Sequence, residues 1–202
     1  MSSKRPPCCK IVLLGDSGVG KTCLISRYLC GTFDNSCPTT NGASYASKEL
    51  VLENNEKIVL DIWDTAGQEK YKSLTRFFYK DASAAILVYD ITKKETFTNL
   101  KTYWVQQLKD YGTNNIIIAI AGNKSDLYDK EQVSEDEAKE FADSIGASFE
   151  LTSAKSNSGV NDLYMAVAET YLKKGINNKN QEKEDIKLKK EDVSKTKKRK
   201  CC

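Results

Sequence analysis

Residues 15–22 read Gly-Asp-Ser-Gly-Val-Gly-Lys-Thr and fit the phosphate-binding pattern G-x-x-x-x-G-K-[ST]. Glycines at these positions let the backbone wrap so closely that its amide groups point inward at an anion. Lys21 supplies a positive charge for the β- and γ-phosphates, and the Thr22 hydroxyl is placed to ligate Mg²⁺. The pattern predicts a nucleoside triphosphate site. The alternative, a glycine turn that binds nothing, is weakened by the motifs that follow.

The segments on either side of this loop supply the context that the motif requires. The apolar run Ile11–Leu14 precedes it, and an amphipathic stretch from Leu24 to Leu29 follows it. The start of the predicted helix adds partial positive charge where the phosphates would lie. The sequence therefore predicts a strand, a phosphate loop and a helix in succession.

A second motif, Asp-Thr-Ala-Gly-Gln at residues 64–68, ends another predicted strand with an acid and a glycine turn. Asp64 is placed to hold Mg²⁺ directly or through water. The Gly67 amide can approach a γ-phosphate because no side chain intervenes, and Gln68 can orient an attacking water. Alone, the motif is also compatible with an ordinary strand exit. Downstream of a phosphate loop, it indicates hydrolysis of the terminal phosphate.

The Asn-Lys-Ser-Asp motif at residues 123–126 predicts recognition of guanine. The Asp126 carboxylate offers two acceptors to the two donors of guanine, and the mismatch with adenine can discriminate by about 10⁴-fold. Lys124 can lay its aliphatic stem along the base, and Asn123 can tie neighbouring loops together. A weaker signal follows the last short strand, where small residues would let amides reach the base carbonyl: Thr152, Ser153, Ala154 and Lys155.

Thr40 lies in a loop of Pro, Thr, Asn and Gly between the first helix and the second strand. Its hydroxyl can ligate Mg²⁺ only when a γ-phosphate draws the loop inward. Loss of that phosphate removes the contact and releases the loop. Thr40 therefore predicts a switch that senses the γ-phosphate.

The elements that position these motifs alternate along the chain. Apolar runs at 84–89 and 116–121, like the run at 11–14, are typical of strands buried on both faces of a parallel sheet. Residues 45–63 break the alternation, since two strand-like segments flank Asn54-Asn55 and predict a hairpin. We expect an α/β fold with a mostly parallel sheet, one antiparallel edge strand, and ligands at the carboxyl ends of the strands.

Three helical stripes are predicted to pack on this sheet. The second follows a capping box formed by Ser134 and Glu137. The apolar positions of the three stripes are Phe97, Leu100, Trp104, Leu108 and Tyr111; Ala138, Phe141 and Ile145; and Val160, Leu163, Tyr164, Val167, Ala168 and Tyr171.

Composition excludes several classes of function. The 202 residues contain no histidine, which excludes a histidine base, a histidine-containing triad and histidine-ligated metal. The seven cysteines fit no zinc spacing and are expected to be free thiols in the cytosol. No stretch approaches a membrane span of about 20 apolar residues, and the N-terminus lacks the apolar core of a secretory signal.

Charge and polarity divide the chain into three parts. Residues 176–202 hold ten basic and five acidic residues, a net charge of +5, against +3 for the whole chain. The body therefore carries −2, and no nucleic-acid partner is expected. The polar segment 176–202 cannot bury enough surface to order itself. We expect a flexible arm at 1–8, a folded domain at 9–175 and a disordered tail.

Together these motifs resemble the Ras superfamily of small GTPases and, within it, the Rab family. The resemblance covers about residues 9–174. Beyond the nucleotide motifs it rests on four segments and a terminal pair: residues 42–45, 70–75, 78–82 and 87–92, and Cys201-Cys202. It implies a six-stranded small G domain of the P-loop NTPase class, with helices on both faces, that hydrolyses GTP slowly without an activator and regulates vesicle trafficking.

The resemblance also implies roles for individual residues. Thr22 and Thr40 would ligate Mg²⁺, with Asp64 acting through water, and Gln68 would position the hydrolytic water. Phe33 would pack against the base. The phosphates would be contacted by Ser17, Gly18, Val19, Gly20, Lys21, Thr22 and Cys23.

The partners implied by the resemblance are an exchange factor, a GTPase-activating protein, a GDP-dissociation inhibitor, an escort protein and effectors. The activating protein would supply an arginine or equivalent in trans. Effectors would bind an aromatic triad of Tyr45, Trp63 and Phe78, for which core packing is the alternative. The protein would be a monomer that cycles between the cytosol and the cytoplasmic face of an intracellular membrane. Asn41, Lys70 and Asp81 depart from the family pattern, so effector and regulator contacts are expected to differ.

A basic run, Lys197–Lys200, lies directly before Cys201 and Cys202. Geranylgeranyl groups on the cysteines, together with basic residues near anionic lipid, would hold the protein on a membrane. Nuclear import and a merely solvated tail are the alternatives for this run. For the whole chain, the alternatives are a non-hydrolysing guanine-nucleotide-binding scaffold and a nuclear transport GTPase.

Overall fold

The computed structural model describes residues 5–36, 40, 42–52, 54–65, 78, 81–113 and 115–175. Four of the predicted functional residues lie outside this part of the chain: Gly67, Gln68, Cys201 and Cys202. Asn41 and Lys70 also lie outside it, as do the tail from residue 176 and the first four residues of the predicted N-terminal arm.

Six strands form one sheet in the order β2-β3-β1-β4-β5-β6. β2 runs antiparallel to β3 at one edge, and the other neighbouring pairs are parallel. The prediction of a mostly parallel sheet with one antiparallel edge strand is confirmed. The strands are β1 (Cys8–Leu14), β2 (Ala43–Val51), β3 (Lys57–Thr65), β4 (Ala84–Asp90), β5 (Ile117–Asn123) and β6 (Ser148–Thr152).

Helices cover both faces of this sheet. The helical segments are α1 (Lys21–Cys30), α2 (Lys94–Asn99), a π-helical turn (Leu100–Trp104), α3 (Val105–Tyr111), a 3₁₀ helix (Ser125–Lys130), α4 (Glu135–Ser144) and α5 (160–175). One apolar core joins the sheet to α1 and α5, and a second joins it to α2, α3 and α4. Every residue of β4 is buried, which explains its unbroken apolar run. No helix among the described residues has the length and apolarity needed to cross a membrane.

One stripe prediction is wrong at its last position. Phe97, Leu100, Trp104 and Leu108 are buried, but Tyr111 is 42% exposed. The π-helical turn inserts an extra residue into the helical repeat. Around this turn Leu100, Trp104 and Val105 are all buried, whereas Tyr111 is the last residue of α3, where the helix ends.

The predicted hairpin and cap are confirmed, with one change in detail. β2 and β3 pair antiparallel as far as Val51 and Lys57, so five residues, 52–56, close the hairpin instead of Asn54-Asn55 alone. Asn55 has a left-handed φ of 61°, which asparagine tolerates better than most residues. At the start of α4, the Ser134 hydroxyl accepts a hydrogen bond from the Glu137 amide at 3.2 Å.

Candidate functional site

A cavity of about 370 Å³ opens at the carboxyl ends of the strands, where the sheet topology predicts a ligand site. Its lining also includes four residues that the sequence analysis did not single out: Asp34, Asn35, Thr65 and Leu127. Its lining brings together most of the predicted site residues: Ser17, Gly18, Gly20, Lys21, Thr22, Cys23, Phe33, Thr40, Asn123, Lys124, Asp126, Ala154 and Lys155. Val19, Asp64 and Ser153 are buried directly behind that lining.

The phosphate loop folds around the amine of Lys21, the first residue of α1. Lys21 is 5% exposed, and its Nζ donates to the carbonyls of Gly15 at 2.7 Å and Asp16 at 2.9 Å. Burial lowers its pKa to about 8, although the carboxylates of Asp64 and Asp16 oppose that shift. A buried ammonium group held only by neutral carbonyls has unused electrostatic attraction for an anion in the cavity.

Three oxygen-bearing side chains meet beside this amine. The Thr22 hydroxyl donates to Asp64 Oδ2 at 2.6 Å and lies 2.7 Å from Thr40 Oγ1. Thr40 Oγ1 also lies 3.3 Å from Asp64 Oδ2. The structure therefore brings together the three predicted magnesium ligands from α1, the loop before β2 and the end of β3.

The environment of Asp64 fits a hard cation. Burial raises the pKa of its carboxyl, and the hydrogen bond from Thr22 and the charge of Lys21 only partly offset this. Its Oδ1 atom is buried and has no hydrogen-bond partner among the described residues. Such an oxygen gains from a cation or a cation-bound water nearby, and hydroxyl and carboxylate oxygens are the ligands that Mg²⁺ prefers. Within the described residues, no cluster of three or more His, Cys, Asp and Glu side chains could hold a metal without help from a ligand.

Asn123, at the end of β5, ties the phosphate loop to the loop after β6. Its Nδ2 donates to the Val19 carbonyl at 2.8 Å. Its Oδ1 accepts from the Thr152 hydroxyl and the Ala154 amide, both at 3.4 Å. The side chain is 2% exposed, so these contacts are shielded from water.

Asp126 is held at the other end of the cavity. Its Oδ1 accepts a hydrogen bond from the Ser153 hydroxyl at 2.6 Å, and Lys155 Nζ lies 4.0 Å from its Oδ2. Oδ1 is therefore engaged by the protein, whereas Oδ2 has only the more distant cation beside it. The carboxylate is fixed in direction by a residue from the neighbouring loop.

Comparison with known proteins decides the family. A model described as the Ras family matches residues 10–173. The chain belongs to the Ras family. Three relatives have Rab names: Ras-related protein Rab-22A of Homo sapiens (46% identical; 79% of this chain and 81% of the relative), Ras-related protein Rab-31 of Homo sapiens (45%; 79% and 80%) and Ras-related protein Rab5A of Oryza sativa subsp. japonica (45%; 81% and 79%).

This chain is therefore a Rab-type small GTPase, an enzyme that hydrolyses GTP and a regulator of vesicle trafficking through effectors. The fold is that of a Ras-like small G domain, as the resemblance implied. Membership in the family favours hydrolysis over the non-hydrolysing scaffold.

Sequence reasoning missed Asp90, which positions Lys124 in this GTPase. Lys124 Nζ forms an ion pair with Asp90 Oδ2 at 2.7 Å and donates to the Gly18 carbonyl at 2.8 Å. Burial by itself raises the pKa of Asp90, but hydrogen bonds from Lys124 and Thr92 and the charge of Lys124 hold it below its usual value. The signal was available, because Asp90 ends a buried apolar strand and a buried carboxylate requires charged or hydrogen-bonding partners.

Asp16, inside the phosphate loop of the GTPase, was also missed. Its carboxylate accepts from Asn99 Nδ2 at 2.7 Å and from the Trp104 indole at 2.9 Å. These donors lie on α2 and the π-helical turn, so the loop is fastened to the helical layer. No spacing in the sequence predicts this pairing, which the fold creates across more than 80 residues.

The three aromatic residues implied for effector binding form one row in this Rab protein. Ring centroids are 5.1 Å apart for Tyr45 and Trp63 and 5.7 Å apart for Trp63 and Phe78. Tyr45 is 53% exposed, whereas Trp63 and Phe78 are half-buried and pack on the second core. The row is thus partly core and partly surface.

Proposed function

We propose that this Rab GTPase binds GTP and GDP with Mg²⁺ in the cavity at the carboxyl ends of the strands. The observation that carries the proposal is the meeting of Thr22, Thr40 and Asp64 beside Lys21, where one buried carboxylate oxygen has no hydrogen-bond partner among the described residues. When bound, Mg²⁺ supplies positive charge that neutralises the β- and γ-phosphate oxygens. Thr22 and Thr40 would be its protein ligands, and Asp64 would support it through water.

The phosphate loop supplies most of the remaining phosphate contacts. Residues 17–23 would offer backbone amides to the phosphates at the start of α1, where the helix adds partial positive charge. Lys21 places its ammonium group against the β- and γ-phosphates. The hydrogen-bond partners of that amine among the described residues, two loop carbonyls, are neutral.

The base would lie between Phe33 and the loops at 123–127 and 153–155. Asp126 would accept both donors of the Watson–Crick edge of guanine, and Lys124 would lay its stem along the ring. The Ala154 amide would reach the base carbonyl, while Asn123 and Ser153 hold the loops in position. Lys155 closes the same end of the cavity.

Hydrolysis would proceed by in-line attack of a water oriented by Gln68. Lys21 and the loop amides would stabilise the charge that develops on the phosphoryl oxygens, and the Gly67 amide, outside the described residues, would approach the γ-phosphate. Thr40 would act as the switch. Its contacts with Thr22 and Asp64 join the loop before β2 to the site, and loss of the γ-phosphate would release them.

Single-turnover hydrolysis tests this proposal. Gln68→Leu should bind GTP as tightly as the unchanged chain but release phosphate roughly tenfold more slowly or worse, because the attacking water loses its orientation. Gln106→Leu makes the same chemical change on the exposed face of α3 and should leave the rate unchanged. Equal phosphate release from all three proteins would remove Gln68 from the mechanism.

Effectors would bind the aromatic row of Tyr45, Trp63 and Phe78 in the GTP state. Its position supports this, since Tyr45 lies on β2, a few residues after Thr40. An exchange factor, an activating protein that supplies an arginine or equivalent, a GDP-dissociation inhibitor and an escort protein would complete the cycle of a monomeric G domain spanning residues 9–175.

Residues 176–202 would form a disordered tail that anchors the protein to the cytoplasmic face of an intracellular membrane and exchanges it with the cytosol. Geranylgeranyl groups on Cys201 and Cys202, aided by the basic run Lys197–Lys200, would supply that anchor.

Replacing both cysteines with serine should move the protein from the membrane fraction to the soluble fraction of a cell lysate. Unchanged membrane association would contradict prenylation, and nuclear accumulation would favour the import alternative.

A further inference from the structure

One guanidinium joins the two loops that flank the base end of the cavity. Arg27, in the last turn of α1, donates from Nε to the Ala154 carbonyl at 2.6 Å and from Nη2 to the Lys155 carbonyl at 3.1 Å. Its Nη1 donates to the Gly31 carbonyl. Its hydrogen bonds therefore reach both Gly31, four residues further along the chain, and Ala154, which is 127 residues from Arg27.

Arg27 forms hydrogen bonds with both the amide and the carbonyl of Gly31. Gly31 ends α1 in a left-handed conformation with a φ of 68°, and its amide donates to the Arg27 carbonyl at 3.0 Å. From Gly31 the chain continues to Phe33 and Thr40, both of which line the cavity. Arg27 thus fixes the point where the loop between α1 and β2, which carries Thr40 and is called the first switch loop below, leaves α1.

The other two contacts fix the loop after β6. Ala154 and Lys155 line the cavity, and the Ala154 amide already contacts Asn123 Oδ1. Arg27 adds hydrogen bonds to the carbonyls of these two residues. The loop is therefore restrained from β5 on one side and from α1 on the other.

The charge of Arg27 is directed only at the backbone. Among the described residues, no carboxylate forms an ion pair with its half-buried guanidinium. Carbonyl oxygens at the C-terminal end of α1 carry partial negative charge, which favours a cation at this position. Charge-assisted hydrogen bonds to carbonyls are stronger than neutral ones, and a planar guanidinium makes several at once.

We propose that Arg27 is a positioning residue that couples the base loop at 153–155 to the start of the first switch loop, and that this coupling limits the rate at which GDP leaves. The inference rests on the proposed nucleotide site. Two of the segments that would flank the base are the loop at 153–155 and the chain from Gly31 to Phe33. Because Arg27 binds both, movement of either one away from the base breaks charge-assisted hydrogen bonds.

The test compares dissociation of a fluorescent GDP analogue from the full chain and from Arg27 variants, chased with unlabelled GDP in Mg²⁺. Arg27→Met keeps the aliphatic stem and removes all donors, so dissociation should accelerate by about tenfold or more. Arg27→Lys keeps the charge but cannot span the three carbonyls, and an intermediate rate is expected. Ile25→Val trims a buried side chain on the same helix, removes no hydrogen-bond donor and should stay within about twofold of the unchanged chain.

Two further readouts separate positioning from general destabilisation. Among the described residues no hydrogen bond joins Arg27 to Thr22 or Asp64, so removal of Mg²⁺ should accelerate release from the unchanged chain and Arg27→Met by the same factor. Hydrogen exchange should rise in Arg27→Met at both 31–35 and 153–158, and at neither segment in Ile25→Val. Arg27→Lys supplies the same comparisons if Arg27→Met does not fold.

The outcomes distinguish this inference from the proposed function. Faster release with increased exchange in both loops supports it. A release rate within twofold of Ile25→Val, or increased exchange in only one loop, overturns the coupling while leaving the nucleotide site intact. A folded, unchanged chain that binds no GDP overturns the proposed site and this inference with it.

Discussion

Replacing Asp126 with asparagine is expected to lower affinity for GTP by about 10⁴-fold and to raise affinity for XTP. Ser153 donates to Asp126 Oδ1, so the amide oxygen of the variant will occupy that place. The amide nitrogen then replaces Oδ2 and faces the base. Guanine presents a 2-amino donor there, and two donors repel. Xanthine presents a carbonyl oxygen at the same point and accepts the new hydrogen bond.

Competition of GTP and XTP against a fluorescent GDP analogue measures this exchange of preference. Asp129→Asn is the matched control, since it makes the same change on an exposed residue of the same 3₁₀ helix and should alter neither affinity. An Asp126→Asn protein that retains the GTP affinity of the unchanged chain would show that the base is recognised elsewhere.

Gly20→Ala is expected to weaken GDP binding by roughly tenfold to 10²-fold. Gly20 has a φ of 98°, and a Cβ atom there would lie 2.3 Å from Asn123 Nδ2. The left-handed conformation costs an L-residue about 1–2 kcal/mol of folding free energy, which does not enter the affinity. Displacing Asn123 breaks its buried hydrogen bond to the Val19 carbonyl, at a cost of about 1–3 kcal/mol. Each 1.4 kcal/mol is a factor of about ten in affinity.

Titration calorimetry with GDP tests this expectation on protein stripped of nucleotide. Gly146→Ala separates strain from collision, because Gly146 has a φ of 66° but nothing within 4 Å of its added Cβ. That control should lose a similar amount of folding free energy to strain and keep its GDP affinity. If both variants bind GDP normally, close packing of Asn123 against the phosphate loop is not needed for binding.

The sequence predicted the layers of the fold because a buried strand or helix has a recognisable local pattern of apolar residues. A strand covered on both faces must be apolar throughout, as β4 is, and an amphipathic helix must repeat its apolar residues. The apolar pattern predicts burial poorly where the backbone departs from the regular helical repeat. Val105 is buried beside Trp104 at the π-helical turn although no predicted stripe included it, since no periodic pattern indicates an extra residue in one turn.

The structure also gives the backbone conformation at one departure from the family pattern. The resemblance implies a glycine at the position of Asp81, whose φ of 61° lies in the left-handed region that glycine favours. Aspartate tolerates this region better than most residues, although at a cost. The sequence identified the unusual residue, but only the backbone explained why glycine is favoured there.

The sequence by itself determined the class of ligand and the family. A phosphate loop is a continuous strand, turn and helix, so its glycines, Lys21 and Thr22 carry their chemistry within eight consecutive positions. Tertiary structure alone decided which side chains hold the motifs in place: Arg27 on the base loop, Asp16 beneath α2 and Asp90 on Lys124. These contacts join segments that are brought together by the order of strands in the sheet. The energy of each contact depends on that proximity and on shared burial, neither of which has a period or spacing in the sequence.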